Sequence, residues 1–150
     1  MDNRVVVELL RHQRHDFSNH LQVILGYLDL EMYDRARLYL QDILHEVTAE
    51  RNIFKMNDDV ALFIFQHYLL AKQEGIILEI GDVKLNQASN ILECNTELSS
   101  VWQELGKQAA KESDYIHARL DIKEDNRCLR LTIELQLKPV PVQREIVVTR

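Results

Sequence analysis

The chain has 150 residues, 46% apolar and 28% charged, which is enough to bury a core and too mixed for a disordered tail. A formal charge of -6 with no Lys/Arg block excludes a nucleic-acid-binding surface, which must displace phosphate counterions, and for the same reason a purely electrostatic hold on a membrane. Its two cysteines, Cys94 and Cys128, form no C-x-x-C pair, so neither a disulfide framework nor a thiolate zinc site is expected, and both read as packing residues.

The opening "MDNRVVVELLRHQ" lacks the apolar run of a signal peptide, and no later run reaches the roughly 18 residues of a spanning helix, so a cytosolic protein is expected. Val7, Leu10, Phe17, Leu21, Ile24 and Leu28 recur at three-four spacing, with Arg14 as the one polar interruption. They predict a helix over residues 3–30 with a packing seam. "EMYD" supplies a turn, and Asp34 is placed to cap the next helix. There Ala36, Leu40, Ile43, Val47 and Phe54 repeat the spacing, interrupted by Glu50, so residues 3–55 read as an antiparallel helical hairpin. Two helices offer no second layer for Leu9, Leu25, Leu44 and Ile53. A four-helix bundle would, and its simplest source is a second copy of the chain.

Beyond the hairpin the texture changes. Asp58 and Asp59 precede "VALFIFQHYLLAKQE", which ends at Gly75, a third helix with an N-cap and a C-terminal glycine. "IILEI" reads as a short strand. After a polar loop, Asn95 or Thr96 caps a fourth helix to about Glu112. Ile116, Ala118, Leu120 and Ile122 then alternate with His117, Arg119, Asp121 and Lys123. The alternation resumes through Leu129, Leu131, Ile133, Leu135 and Leu137 after the "EDNR" turn, predicting a β-hairpin with one buried face. Pro139 and Pro141 stop the last strand, and "REIVVTR" is a candidate edge strand. Helix, strand, helix, strand, strand is the order of an α+β sandwich with two helices on one sheet face.

The stretch "RHQRHDFSNHLQ" holds three of the six histidines. His15 falls at the edge of the first seam, anchored by packing while its ring reaches solvent. Its helical neighbours at three, four and seven residues are Arg11, His12, Ser18, Asn19 and Gln22, a polar stripe with cations and no carboxylate. Such a setting suits an imidazole carrying a phosphoryl group of about two negative charges, because arginine and amide donors accept its oxygens. Neutral imidazole is also a nucleophile near pH 7. On spacing alone, however, a histidine on an amphipathic helix is an ordinary surface residue. A metal site is weaker still: His12 and His15 share a face, but His20 lies round the helix and no nearby carboxylate completes a set.

The segment "LLRHQRHDFSNHLQVILGYLDLEMYDRARLYL" resembles the dimerisation and phosphoacceptor hairpin of the sporulation initiation phosphotransferase B-type family, shared with the citrate/fumarate-sensing histidine kinases. The family pattern H-D-F/Y-x-N-H-L-Q, followed by a short turn with Y-D, is present throughout. Matched position by position, the resemblance makes His15 the phosphorylated histidine, Asp16 the adjacent acid and Asn19 the amide one turn on. His20 belongs to the motif without being the acceptor. In the related kinases the next domain is an ATPase whose second helix carries N-x-x-x-N. Here "ELGKQAAKE" sits at that place, with Glu104 and Gln108 for the two asparagines and Lys107 where an aspartate is common. None of the four glycines lies beyond Gly106, so the glycine-rich lid is missing too. A negative Glu104 and an absent magnesium amide would repel a triphosphate.

The resemblance thus implies an α+β chain in two parts. Residues 1–56 are expected to be a helical hairpin that dimerises as a four-helix bundle and carries the phosphoacceptor; residues 57–150 a small, degenerate histidine-kinase-ATPase-like α/β sandwich. The expected activity is that of a histidine phosphotransferase in a phosphorelay, moving a phosphoryl group between aspartates of response-regulator receiver domains through His15. Asp16 and Asn19 assist, and Arg11, Arg14, Ser18 and Gln22 contact the phosphoryl or dock the receiver. No cofactor or metal of its own is expected, since the receiver brings the magnesium. Two alternatives stay open: a transmitter fragment of a sensor kinase, and a non-enzymatic dimeric regulator that binds a kinase or response regulator.

Overall fold

A computed structural model describes residues 3–86, 88–112, 116–125, 128–136 and 142–149. The chain is α+β and divides into two compact units, residues 1–52 and 53–150.

In the first unit, α1 (Asn3–Asp29) and α2 (Tyr33–Ile53) are joined by a tight turn. The turn closes by two backbone bonds, Met32 N–H to the Tyr27 carbonyl at 2.8 Å and Glu31 N–H to the Leu28 carbonyl at 3.0 Å, which absorb the helix's last free carbonyls. That pattern puts Glu31 in the left-handed region, φ 57°, where glycine is the usual occupant. Asp34 lies inside the first turn of α2 rather than at its cap, where its charge favours the positive end of the helix.

The seam turns out differently from the three-four reading. Sheltered positions on α1 are Val5, Val6, Leu9, Gln13, Asp16, His20, Ile24 and Tyr27, and on α2 Ala36, Tyr39, Ile43, Glu46, Glu50 and Ile53. The two helices meet through rings as well as aliphatics: Tyr39 packs edge-on against Tyr27, with ring centroids 6.2 Å apart, and its hydroxyl is hydrogen-bonded to His20 Nδ1 at 2.8 Å. Val7, Leu10, Phe17, Leu21, Leu25 and Leu28 face solvent, as do Leu40, Leu44 and Val47 on α2. Two apolar stripes were merged in the spacing. The stripe richer in large aliphatics is the one left open within a single chain.

The second unit runs α3 (Asp58–Gln73), β1 (Ile76–Lys84), a short 3-10 turn (Ala88–Cys94), α4 (Asn95–Glu112), β2 (Ile116–Asp125), β3 (Cys128–Leu135) and β4 (Val142–Thr149). Asn57, not Asp58 or Asp59, caps α3, its side chain accepting from the Asp59 N–H at 3.1 Å. Gly75, at φ 78°, ends the helix as expected. The sheet order is β1-β2-β3-β4, the first pair parallel and the others antiparallel. The predicted alternation is met: Ile116, Ala118, Leu120 and Ile122 are buried, opposite a buried row of Leu129, Leu131, Ile133 and Leu135. "REIVVT" is the body of the edge strand β4. Leu137, Pro139, Pro141 and the second half of the "EDNR" turn, Asn126 and Arg127, lie outside the described residues.

The first strand is longer than "IILEI" because it bulges. Gly81 and Asp82 together oppose Asp121, and the register shifts between Ile80 and Val83. The Asp82 N–H donates to the Asp121 carboxylate at 2.7 Å, and a Cβ at Gly81 would strike that carboxylate and the Arg119 guanidinium, so glycine is required there.

At the centre of this core His67 is fully buried on α3. Its Nε2–H donates to Asn95 Oδ1 at 3.0 Å, and Nδ1 accepts from the Trp102 indole N–H at 3.2 Å. Burial holds its pKa down to about 4, against a smaller opposing effect of the Asn95 bond. Asn95, expected as an α4 cap, is instead the partner of a neutral core histidine.

Candidate functional site

On an α-helix each residue advances about 100°, so α1 has three faces when measured from His15. The positions turned to α2 cluster between about 100° and 180°, and the open apolar stripe of Phe17, Leu10, Leu28 and Leu21 between about 200° and 240°. His15 heads the third face, flanked within about 60° by Arg11, His12, Ser18, Asn19 and Gln22, all of them exposed. Its side chain is 72% exposed. Packing against α2 fixes the helix on one side, the apolar stripe lies open on a second, and the imidazole stands on the third.

Two neighbours address the same ring nitrogen. The Asn19 amide nitrogen donates to Nδ1 at 3.2 Å, and an Asp16 carboxylate oxygen stands 3.7 Å from that atom. Asp16 is half-buried towards α2, as its place about 100° from His15 requires, so it reaches the ring from the side. Nε2 points away from both. With the amide turned over, the Asn19 oxygen would accept from an Nδ1–H and leave the Nε2 lone pair free, the tautomer a nucleophilic imidazole needs.

His15, Asp16 and Asn19 are therefore brought together. Arg11, Ser18 and Gln22 lie on the His15 face without touching the ring. Arg14 sits about 100° the other way, beside the open apolar stripe. Sequence reasoning missed Tyr39, whose bond to His20 joins the helices five residues after His15. Its signal was its place on the sheltered stripe of α2, obscured by the leucines on either side of it.

No helix among the described residues is long and apolar enough to cross a membrane, and none of their His, Cys, Asp and Glu side chains gather in threes to hold a metal ion.

Residues 1–56 match the family model described as the sensor kinase SpoOB-type, alpha-helical domain. The chain is also similar to sporulation initiation phosphotransferase B of Bacillus subtilis (strain 168), 30% identical over 84 residues, which cover 52% of this chain and 43% of that protein. The match thus spans less than half the length of this relative. The hairpin that carries His15 is thus a SpoOB-type alpha-helical domain, and the likeness to the phosphotransferase of Bacillus subtilis extends over about half of the chain.

Proposed function

We propose that the protein is a histidine phosphotransferase of a phosphorelay, with His15 as the carrier. The observation that supports this best is the ring's setting: an exposed imidazole with two groups on Nδ1 and an open approach to Nε2. In the forward step Nε2 attacks the phosphorus of an aspartyl phosphate on a receiver domain, in line with the acyl oxygen. The P–N bond forms as the P–O bond breaks, and the aspartate leaves as carboxylate. The ring keeps its proton on Nδ1, and Asp16 and Asn19 stabilise the cationic phosphoimidazole. Return to a second receiver is the reverse. Both species are reactive phosphoryl carriers, so positioning is the main contribution the protein makes. Arg11, Ser18 and Gln22 are at hand for the phosphoryl oxygens or the receiver surface. Magnesium belongs to the receiver.

A second copy of the chain covers the open stripe of α1 and α2. In a four-helix bundle the contact at about 220° and the α2 contact at about 130° leave the His15 face outside. The second unit serves as a degenerate ATPase-like scaffold. On α4, where the related kinases hold magnesium-nucleotide, Glu104 accepts from the Arg144 guanidinium of β4 at 2.7 Å. A carboxylate at that place, tied to the edge strand, favours a relay protein over a kinase transmitter.

The test is incubation of wild type and His15→Ala with a panel of phosphorylated receivers. Wild type takes up phosphate from at least one and returns it; His15→Ala takes up none while keeping its helicity and mass. Uptake by the variant would defeat the assignment, and a wild type inert towards every receiver would leave a non-enzymatic binding module as the better account.

A further inference from the structure

Gly26 stands in the interior of α1, where a glycine costs helix stability relative to alanine and is usually explained by a bend, a left-handed φ or a packed neighbour. None of these applies. Positive φ occurs, among the described residues, at Glu31 and Gly75, not here. The Gly26 carbonyl accepts the Leu30 N–H at 3.1 Å, an ordinary helical bond. A Cβ at this position would meet nothing within 4 Å. The chain itself gives no reason for the missing side chain.

Its direction supplies one. Gly26 follows His15 by eleven residues, which places it about 20° from His15 around the helix and about 16 Å along it. The positions 15, 19, 22 and 26 form one ridge line. It lies about 110° from the α2 side and further still from the open apolar stripe, so neither α2 nor a second copy seated on that stripe would cover it. A standard protein contact of about 800 Å² a side is roughly 30 Å across, so a domain centred on His15 has its rim at Gly26. From Arg11 to Gly26 no acidic residue lies within about 60° of His15, the Asp16 carboxylate reaching the ring only from the α2 side, which suits a partner whose reactive group is an acid.

We propose that the receiver domain that exchanges phosphate with His15 also packs its backbone or a bulky side chain directly against Gly26, which sets how the receiver lies along α1. This rests on the phosphotransferase reading above. The glycine admits a close approach that any side chain would prop open, and it makes Gly26 a docking residue rather than a catalytic one.

The experiment measures phosphoryl transfer against receiver concentration for wild type, Gly26→Ala and Gly26→Leu, with circular dichroism and sedimentation alongside. Both substitutions raise Tm by a few degrees, since both residues are better helix formers. Gly26→Leu raises KM for the receiver about tenfold or more, the effect expected of overfilling a close contact, with kcat within about twofold. Gly26→Ala gives a smaller rise in KM. Unchanged KM in Gly26→Leu beside an active wild type would overturn this inference alone, and so would a loss confined to kcat. A wild type that takes phosphate from no receiver would overturn it together with the reading on which it rests.

Discussion

His67 shows how one buried ring ties pH to stability. Both its nitrogens are used in the neutral form, one as donor to Asn95 and one as acceptor from Trp102. The unfolded chain takes up a proton near pH 6.5, whereas the folded chain does so only near 4. Between those values the unfolded state binds more protons, so stability is full above about pH 6.5 and falls as the pH drops towards 4, by about 3 kcal/mol in all. Urea unfolding followed by the fluorescence of Trp102, the single tryptophan, should show a loss of about 1 kcal/mol between pH 7.5 and 5.5. Equal stability at the two values would refute the role given to this ring. Glu31 is a second residue-scale case. Its left-handed φ is strained for a side chain, so Glu31→Gly should stabilise the hairpin by about 0.5 to 1 kcal/mol, read as a rise in Tm. A fall in Tm would mean that the Glu31 side chain makes up for the strain.

At the scale of elements, the two stripes of α1 carry the assembly prediction. Phe17 is 65% and Leu21 51% exposed in the single chain, so charging either position does not disturb the contact between α1 and α2. Leu21→Lys should therefore give helical monomers, because a buried unpaired charge at the interface between copies costs several kcal/mol. Sedimentation equilibrium at micromolar concentration checks this, and a wild type that is already monomeric would contradict the bundle. The same helix shows what the sequence could disclose. Strand alternation from Ile116 to Ile122 and from Leu129 to Leu135 was legible because a half-buried sheet imposes a strict period of two. The α1 and α2 boundaries were legible within two residues, Phe54 falling just past the end of α2, but the inward face was not: beside Leu9, Ile24, Ala36 and Ile43 it includes Gln13, Asp16, His20, Glu46 and Glu50, which binary patterning counts as polar. The 3-10 turn and the bulge at Gly81 escaped too, since both answer to tertiary contacts with no local signal. At the candidate site, His15, Asp16 and Asn19 were singled out by a resemblance to known hairpins, and spacing alone would have left His15 a surface histidine.

At the scale of the whole molecule, the second unit is proposed to be a scaffold that binds no nucleotide. Glu104 of α4 is held by Arg144 of β4, and Lys107 and Gln108 stand near it on the same helix. Titration calorimetry with magnesium-ATP should give no heat above dilution, and a micromolar dissociation constant would restore the kinase reading. Asn19→Ala tests the polar face of the first unit: losing its bond to the ring should cost about 1 to 3 kcal/mol, or about tenfold to a hundredfold in transfer rate. An unchanged rate would remove Asn19 from the chemistry. The claim on which all of this depends is that His15 holds the phosphoryl group, and locating that group is the direct measurement. Protein labelled with 15N-histidine, phosphorylated from a receiver and observed by NMR, should show a single phosphoimidazole, on Nε2 of His15, stable in base and lost in acid. Phosphate on any other residue, or retained when His15 is changed to alanine, would contradict the account.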